Sequence, residues 1–140
     1  MVPLKPITAS DIEVLLVHRE RLRALNGRFL EKWGGGGRKP SGAHVMPWPD
    51  YPDAVTEFFS AAGEAPWSDH NYSPSAAGKK VRDLAPYTNA SLDEVRTMLT
   101  WCTRGERFCD GHWAAVLDGG TVFRLLDRLE SLLATACGGG

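Results

Sequence analysis

SLDEVRTMLTWCTRGERFCDGHWAAVLDGGTVFRLLDRLESLLATA, residues 91–136, decides how this chain is read. Ser91 followed three residues later by Glu94 forms a capping box, the signature of a helix start. At 100° per residue, Leu92, Val95, Met98, Leu99 and Cys102 fall on one face and predict a buried stripe. A short second helix is expected from Asp110, its predicted N-cap, to Gly119-Gly120. A third follows, with Val122, Leu125, Leu126, Leu129, Leu132, Leu133 and Ala136 as its apolar face.

Working back toward the N-terminus, TASDIEVLLVHRERLRAL predicts another helix. It is capped by Thr8 with Asp11, or by Ser10 with Glu13 one register later. Ile12, Leu15, Leu16, Leu22 and Leu25 recur at helical spacing, Asn26-Gly27 ends the run, and Arg19, Glu20, Arg21 and Arg23 are expected mostly to face water. In PWPDYPDAVTEFFSAAGEA, Pro52 suits a first helical turn, Val55, Phe58 and Phe59 make one face, and Gly63 closes it. PWSDHNYSP reads as an irregular aromatic link bracketed by Pro66 and Pro74. SAAGKKVRDLA predicts a short helix ended by Pro86. Phe29 to Trp33 and Ala43 to Met46 read as two strands around a Gly34–Gly37 loop. That glycine run precedes Arg38-Lys39, but the order of Gly, Lys and Ser or Thr required by a phosphate loop is missing. The expectation is a mainly α fold: a compact helical single domain over 1–137, with a small β-hairpin around 29–47 and a frayed glycine tail at 138–140.

The 140 residues suit one domain, and 16 basic against 17 acidic residues leave a net charge of −1. That balance makes nucleic-acid binding unlikely, since such surfaces are basic. No apolar run reaches the roughly 20 residues of a membrane span, and MVPLKPITASD lacks the apolar core of a secretory signal. Cys102, Cys109 and Cys137 are an odd, small set, read as reduced thiols in a cytoplasmic protein.

The polar decamer RGERFCDGHW, residues 104–113, interrupts these helices. One turn beyond the stripe, the residue in its middle is Glu106, where the pattern asks for leucine. A buried carboxylate must be paired, hydrogen-bonded or protonated. Arg96 and Arg107 flank the stripe and Arg104 projects further round, so the expected partner is an arginine of the same helix, of the first helix, or Arg124 or Arg128. Gly105 is unfavourable inside a helix by about 1 kcal/mol and points to close packing or a helix end. His112 and Trp113 follow in the first turn of the next helix.

Several chemistries fit these residues. Glu106, Asp110 and His112 are acid/base candidates, with Arg104 and Arg107 holding an anion and Asp69 and Tyr72 approaching from the 66–74 link. The commoner use of such groups is a structural network, with Glu106 on an arginine, Asp110 as a cap and His112 on a backbone carbonyl. Cys109-x-x-His112 is half of a metal site, extendable by Cys102, Asp110 or His70, but a second pair is missing, so no metal or other cofactor is expected. Cys109 beside Arg107 and His112 has a nucleophile's surroundings but no orienting third residue. Arg96, Arg104 and Arg107 with Trp101 and Trp113 could stack on nucleic acid, and Trp101 lies opposite the core stripe. Trp33, Trp48, Tyr51, Trp67 and Tyr72 crowd the middle of the chain and could offer a partner surface.

The segment LTWCTRGERFCDGHWAAVLDGGTVFRLLDRL, 99–129, resembles a bacterial family that bears a domain-of-unknown-function label. Its hallmark is Leu-Thr-aromatic, Arg-Gly-Glu-Arg-Phe, a small residue, Asp-Gly-His-Trp, then a glycine turn and a leucine-rich helix. Trp67, Ser68, Asp69 and Tyr72 fit an upstream element of the same family, and MPWPDY at 46–51 fits more loosely. The resemblance implies a soluble bacterial protein and brings no activity, cofactor or partner with it. The functional expectation therefore rests on chemistry: a pocket where 104–113 meets 67–72. It would bind a small anionic ligand or substrate through Arg104, Arg107, Asp69, Tyr72 and Trp113, with Glu106, His112 and Asp110 available for catalysis. The alternative is a non-catalytic adaptor that binds a protein partner through the aromatic 46–72 segment.

Overall fold

The structure is a computed structural model and describes residues 5–30, 32–34, 48–69, 71–107 and 109–138, without the side chains at 32–34, 48 and 136–138. The chain is mainly α. In order come α1 (Ala9–Arg23), β1 (Lys32–Gly34), β2 (Trp48–Asp50), α2 (Asp53–Ala62), α3 (Pro74–Asp83), α4 (Leu92–Arg104), a 3₁₀ turn (Gly105–Arg107), α5 (His112–Asp118) and α6 (Thr121–Gly138).

Both capping boxes form. Thr8 Oγ1 accepts from the Asp11 amide while the Asp11 carboxylate accepts from Thr8 N, which selects the first of the two registers for α1. Ser91 and Glu94 do the same for α4. Each box satisfies two of the amides that a helix start leaves without partners.

Buried apolar residues form one cluster. Helix α6 packs against α1, α4 and α5; α2 packs on α1 and α4, and α3 on α4. Leu15 and Leu22 of α1, Phe58 of α2, Met98 and Leu99 of α4 and Leu125, Leu126 and Leu129 of α6 are fully buried. Burial of each such side chain contributes about 1.5–3 kcal/mol, which is why the helical stripes settle the packing. Further along α6 the stripe weakens, with Leu132 and Leu133 half-buried.

Four details differ from expectation. The second strand is Trp48–Asp50, paired antiparallel with β1 in the register Lys32↔Asp50, Trp33↔Pro49 and Gly34↔Trp48; Gly35–Gly37 and Ala43–Met46 lie outside the described residues. Pro52 is the residue before α2 and not its first turn. Arg19 does not face water: its side chain is 12% exposed and it bridges α1 to Asp127 and Glu130 of α6 at 3.0 and 2.6 Å. Arg21, exposed as expected, pairs with Glu57 of α2. Trp101, opposite the core stripe, is not a free stacking face: it is half-buried and packs on α3, where a Cβ on Gly78 would sit 3.1 Å from the indole nitrogen. Among the described residues no helix is long and apolar enough to cross a membrane. Gly139 and Gly140, most of the expected frayed tail, lie outside the described residues.

Candidate functional site

Helix α4 stops at Arg104, and the 3₁₀ turn swings Glu106 off the buried stripe. Among the described residues its carboxylate meets no arginine. Oε1 accepts from Tyr51 Oη at 2.8 Å and from Trp113 N at 2.9 Å, and Oε2 accepts from Gly111 N at 2.9 Å. Those two amides belong to the first turn of α5, so Glu106 supplies the cap that the sequence assigned to Asp110. The residue at the N-cap is Gly111, whose φ of 88° disfavours any side chain there, and Asp110 is exposed. A carboxylate at a helix N-terminus gains both the amide hydrogen bonds and the favourable end of the dipole. Burial, with the Glu106 carboxylate beside it, holds the Tyr51 hydroxyl well above the usual phenol range, so it stays a donor.

Gly105 serves a neighbour. A Cβ there would lie 2.3 Å from the His112 ring, so only glycine lets the imidazole lie on the 3₁₀ turn. Trp101 meets His112 edge-on, with centroids 4.6 Å apart. Among the described residues the buried His112 Nε2 has no hydrogen-bond partner. Burial pulls the imidazole pKa down, against opposing pulls from Glu106 and the Trp101 carbonyl.

The C-terminal turn of α4 and the 62–68 segment enclose a pocket of about 350 Å³. Ser68, Thr100, Thr103, Arg104, Glu106, Arg107 and Trp113 line it, with Ala62 and Gly63. Arg104 is half-buried; its Nη2 donates to Ser68 Oγ at 3.1 Å, and its guanidinium lies 5.2 Å from the centre of the Tyr72 ring. Arg107 is exposed at the rim. Among the described residues neither arginine has a carboxylate partner, although Arg19, Arg21, Arg23 and Arg96 all do. Trp113 is fixed on the other side. Its Nε1 donates to Thr103 O at 2.8 Å, and its ring stacks on Phe59 at 4.6 Å and 8°.

Of the residues singled out in the sequence, Arg104, Glu106, Arg107 and Trp113 border this pocket, and Tyr72 supports Arg104. Asp69 stands behind the wall. It is 7% exposed, and its carboxylate accepts from Thr97 Oγ1 at 2.8 Å and from Asn71 N at 2.9 Å, while its amide donates to Thr100 Oγ1. Asp110 and His112 do not line the pocket, and Glu106 is spent on three donors, so the acid/base trio is not assembled around a reacting atom.

Ser68 was noted only within the family's upstream element and was given no role, and the threonines were not singled out as site residues. Thr97, Thr100 and Thr103 recur every third residue, which puts them on one edge of a helix, and that polar edge was the available signal. Arg96 does not join a basic face: its guanidinium donates to Lys5 O at 2.6 Å, Pro66 O at 3.0 Å and Asp93 Oδ1 at 2.8 Å. Among the described residues no group of three His, Cys, Asp or Glu is placed to hold a metal ion; His70 lies outside them. Cys102 is buried, and burial pushes its thiol pKa up, as for a small apolar residue; Cys109 is exposed. Trp67 is buried at 3% exposure, and the Trp33 and Trp48 side chains lie outside the described residues.

Comparison with curated proteins and with solved structures finds no match. A family profile does match, over residues 7–135, nearly the whole described chain. The chain therefore belongs to the family of unknown function DUF6508.

Proposed function

We propose that this protein binds a small anionic ligand in the pocket between α4 and the 62–68 segment. The observation that carries the reading is Arg104. A half-buried guanidinium normally has a carboxylate partner, because desolvating a charge is expensive. Arg104 instead has a serine hydroxyl and an aromatic ring, which orient it and leave its charge uncompensated. Arg107 adds a second positive charge at the rim. An anion entering here gains charge-assisted hydrogen bonds in a partly desolvated setting. The role is binding; Glu106 belongs to the frame of the pocket. We also place the protein in the bacterial cytoplasm, a reading supported by the free thiols of Cys102 and Cys109 and by the family resemblance.

The adaptor reading has less support, since Phe58, Phe59 and Trp67 are core residues and Tyr51 is held by Glu106. The test is a titration of the whole protein with acetate, benzoate, inorganic phosphate and phenyl phosphate, followed by amide chemical shifts. The expected result is saturable shifts at Gly63, Ser68, Arg104 and Trp113, weakened at least tenfold in Arg104→Gln with the fold intact. If none of the four anions perturbs these amides at millimolar concentration, the reading is wrong.

A further inference from the structure

The lining of the α4 pocket also restricts what the anion is attached to. Most of its polar groups are already engaged. Thr103 Oγ1 donates to Leu99 O at 2.8 Å, and Thr103 O accepts from the Trp113 indole. Thr100 Oγ1 lies 2.9 Å from Arg96 O and 3.2 Å from Trp67 O, so its one proton is directed at the protein's own carbonyls, and it accepts from the Asp69 amide. The Glu106 carboxylate holds Tyr51 and α5. Arg104, Arg107 and the Ser68 hydroxyl remain to donate to a ligand. Everything else the ligand meets is in effect apolar: Gly63 and the Trp113 ring, with fully buried Ala62 behind them.

Two further observations bear on size and shape. A space of about 350 Å³ far exceeds a bare anion; one water occupies roughly 30 Å³ of liquid, and pockets for organic ligands begin near 300 Å³. Trp113 is locked by its stack on Phe59 and its bond to Thr103 O, so it offers a rigid aromatic wall. Rigid aromatic walls favour flat apolar partners, which lose little freedom on binding. A ligand rich in hydroxyls would lose hydration there without finding replacement donors and acceptors.

We infer that the pocket takes an anion carried on a flat apolar body, an aromatic carboxylate or an aryl phosphate, and not a bare inorganic anion or a sugar phosphate. The inference rests on the anion-binding reading above and adds the chemical class. Charge sits at one end, on Arg104 and Arg107; the ring lies against Trp113.

The experiment compares benzoate with acetate, and phenyl phosphate with inorganic phosphate and ribose 5-phosphate, by titration of the whole protein. Intermolecular NOEs are then recorded from the aryl protons. Expected are affinities at least tenfold higher for each aryl anion than for its bare or sugar counterpart, with NOEs to the Trp113 indole. Equal affinities for aryl and bare anions overturn the inference and leave the anion site standing. Tighter aryl binding with NOEs to Pro86 and Thr88, at the separate groove along α6, overturns it as well. Absence of all anion binding removes the underlying reading and the inference together.

Discussion

Arg96 and Arg104 lie eight residues apart on α4, about two turns, and the protein uses them in opposite ways. Arg96 is 5% exposed and ties three segments together through the Lys5 and Pro66 carbonyls and the Asp93 carboxylate. Arg104 bonds one hydroxyl and covers one ring. The same contrast separates the carboxylates near them. Asp69 and Glu106 accept from amides and hydroxyls, and among the described residues neither forms an ion pair with Arg104. One half of the helix is closed architecture; at the other end the charge is left open to whatever enters the pocket.

Substitutions can break that contrast. Arg96→Met should have the largest effect on stability, on the order of 3 kcal/mol, because it leaves the Lys5 and Pro66 carbonyls without their donor. In thermal unfolding that is a fall of roughly 10 °C for a domain of this size. A change of only a degree or two would show that Arg96 is as dispensable as Arg104. Glu106→Gln should lower stability by about 2 kcal/mol, since an amide can accept at one end only and turns an NH₂ group toward an α5 amide or Tyr51. A variant as stable as wild type would mean that the cap on α5 is not held by this charge.

Smaller effects sharpen the picture. Gly105→Ala ought to destabilise by roughly 1–3 kcal/mol through overpacking against His112, even though alanine is the better helix former. Increased stability would show that the imidazole moves aside easily. His112 and His18 both have pKa values pulled down, chiefly by burial. The unfolded chain then binds more protons below the ordinary value of 6.5, so stability is fully present above it and falls as pH drops toward the lowered folded values. Urea unfolding at pH 7.5 and 5.5 should show that loss, and His112→Phe should reduce the slope. Arg104→Gln closes the series, with a stability change within about 0.5 kcal/mol. A large loss there would make Arg104 a second Arg96.

The helices were legible because their signals are local. Thr8-x-x-Asp11 and Ser91-x-x-Glu94 state their own starts, and the leucines of α6 state its buried face. The Glu106 anomaly was also visible, as a carboxylate in a leucine position. Its partners were not, because a single 3₁₀ turn redirects the side chain from the α4 stripe to amides five and seven residues ahead. Helical periodicity does not anticipate that turn; its one local sign was Gly105, read as close packing or a helix end. Tyr51, 55 residues away, and the buried Arg96 depend on long-range packing that no spacing rule encodes. Trp101 stood out on the wheel, but the small residue that receives it, Gly78, lies on a different helix.

Helix α5 has only seven residues, well below the roughly 12–15 at which an isolated helix becomes even marginal in water. It persists because Glu106 grips its first turn and Trp113 is anchored to Phe59 and Thr103. When that grip is released, the Gly111 and Trp113 amides lose their acceptor together, and the indole wall of the pocket loses its footing in the same event. Residues 105–118 are thus expected to exchange their amide protons as one cooperative opening unit. Anything that fills the pocket and steadies Trp113 should slow that exchange along the whole unit, well beyond the residues it touches.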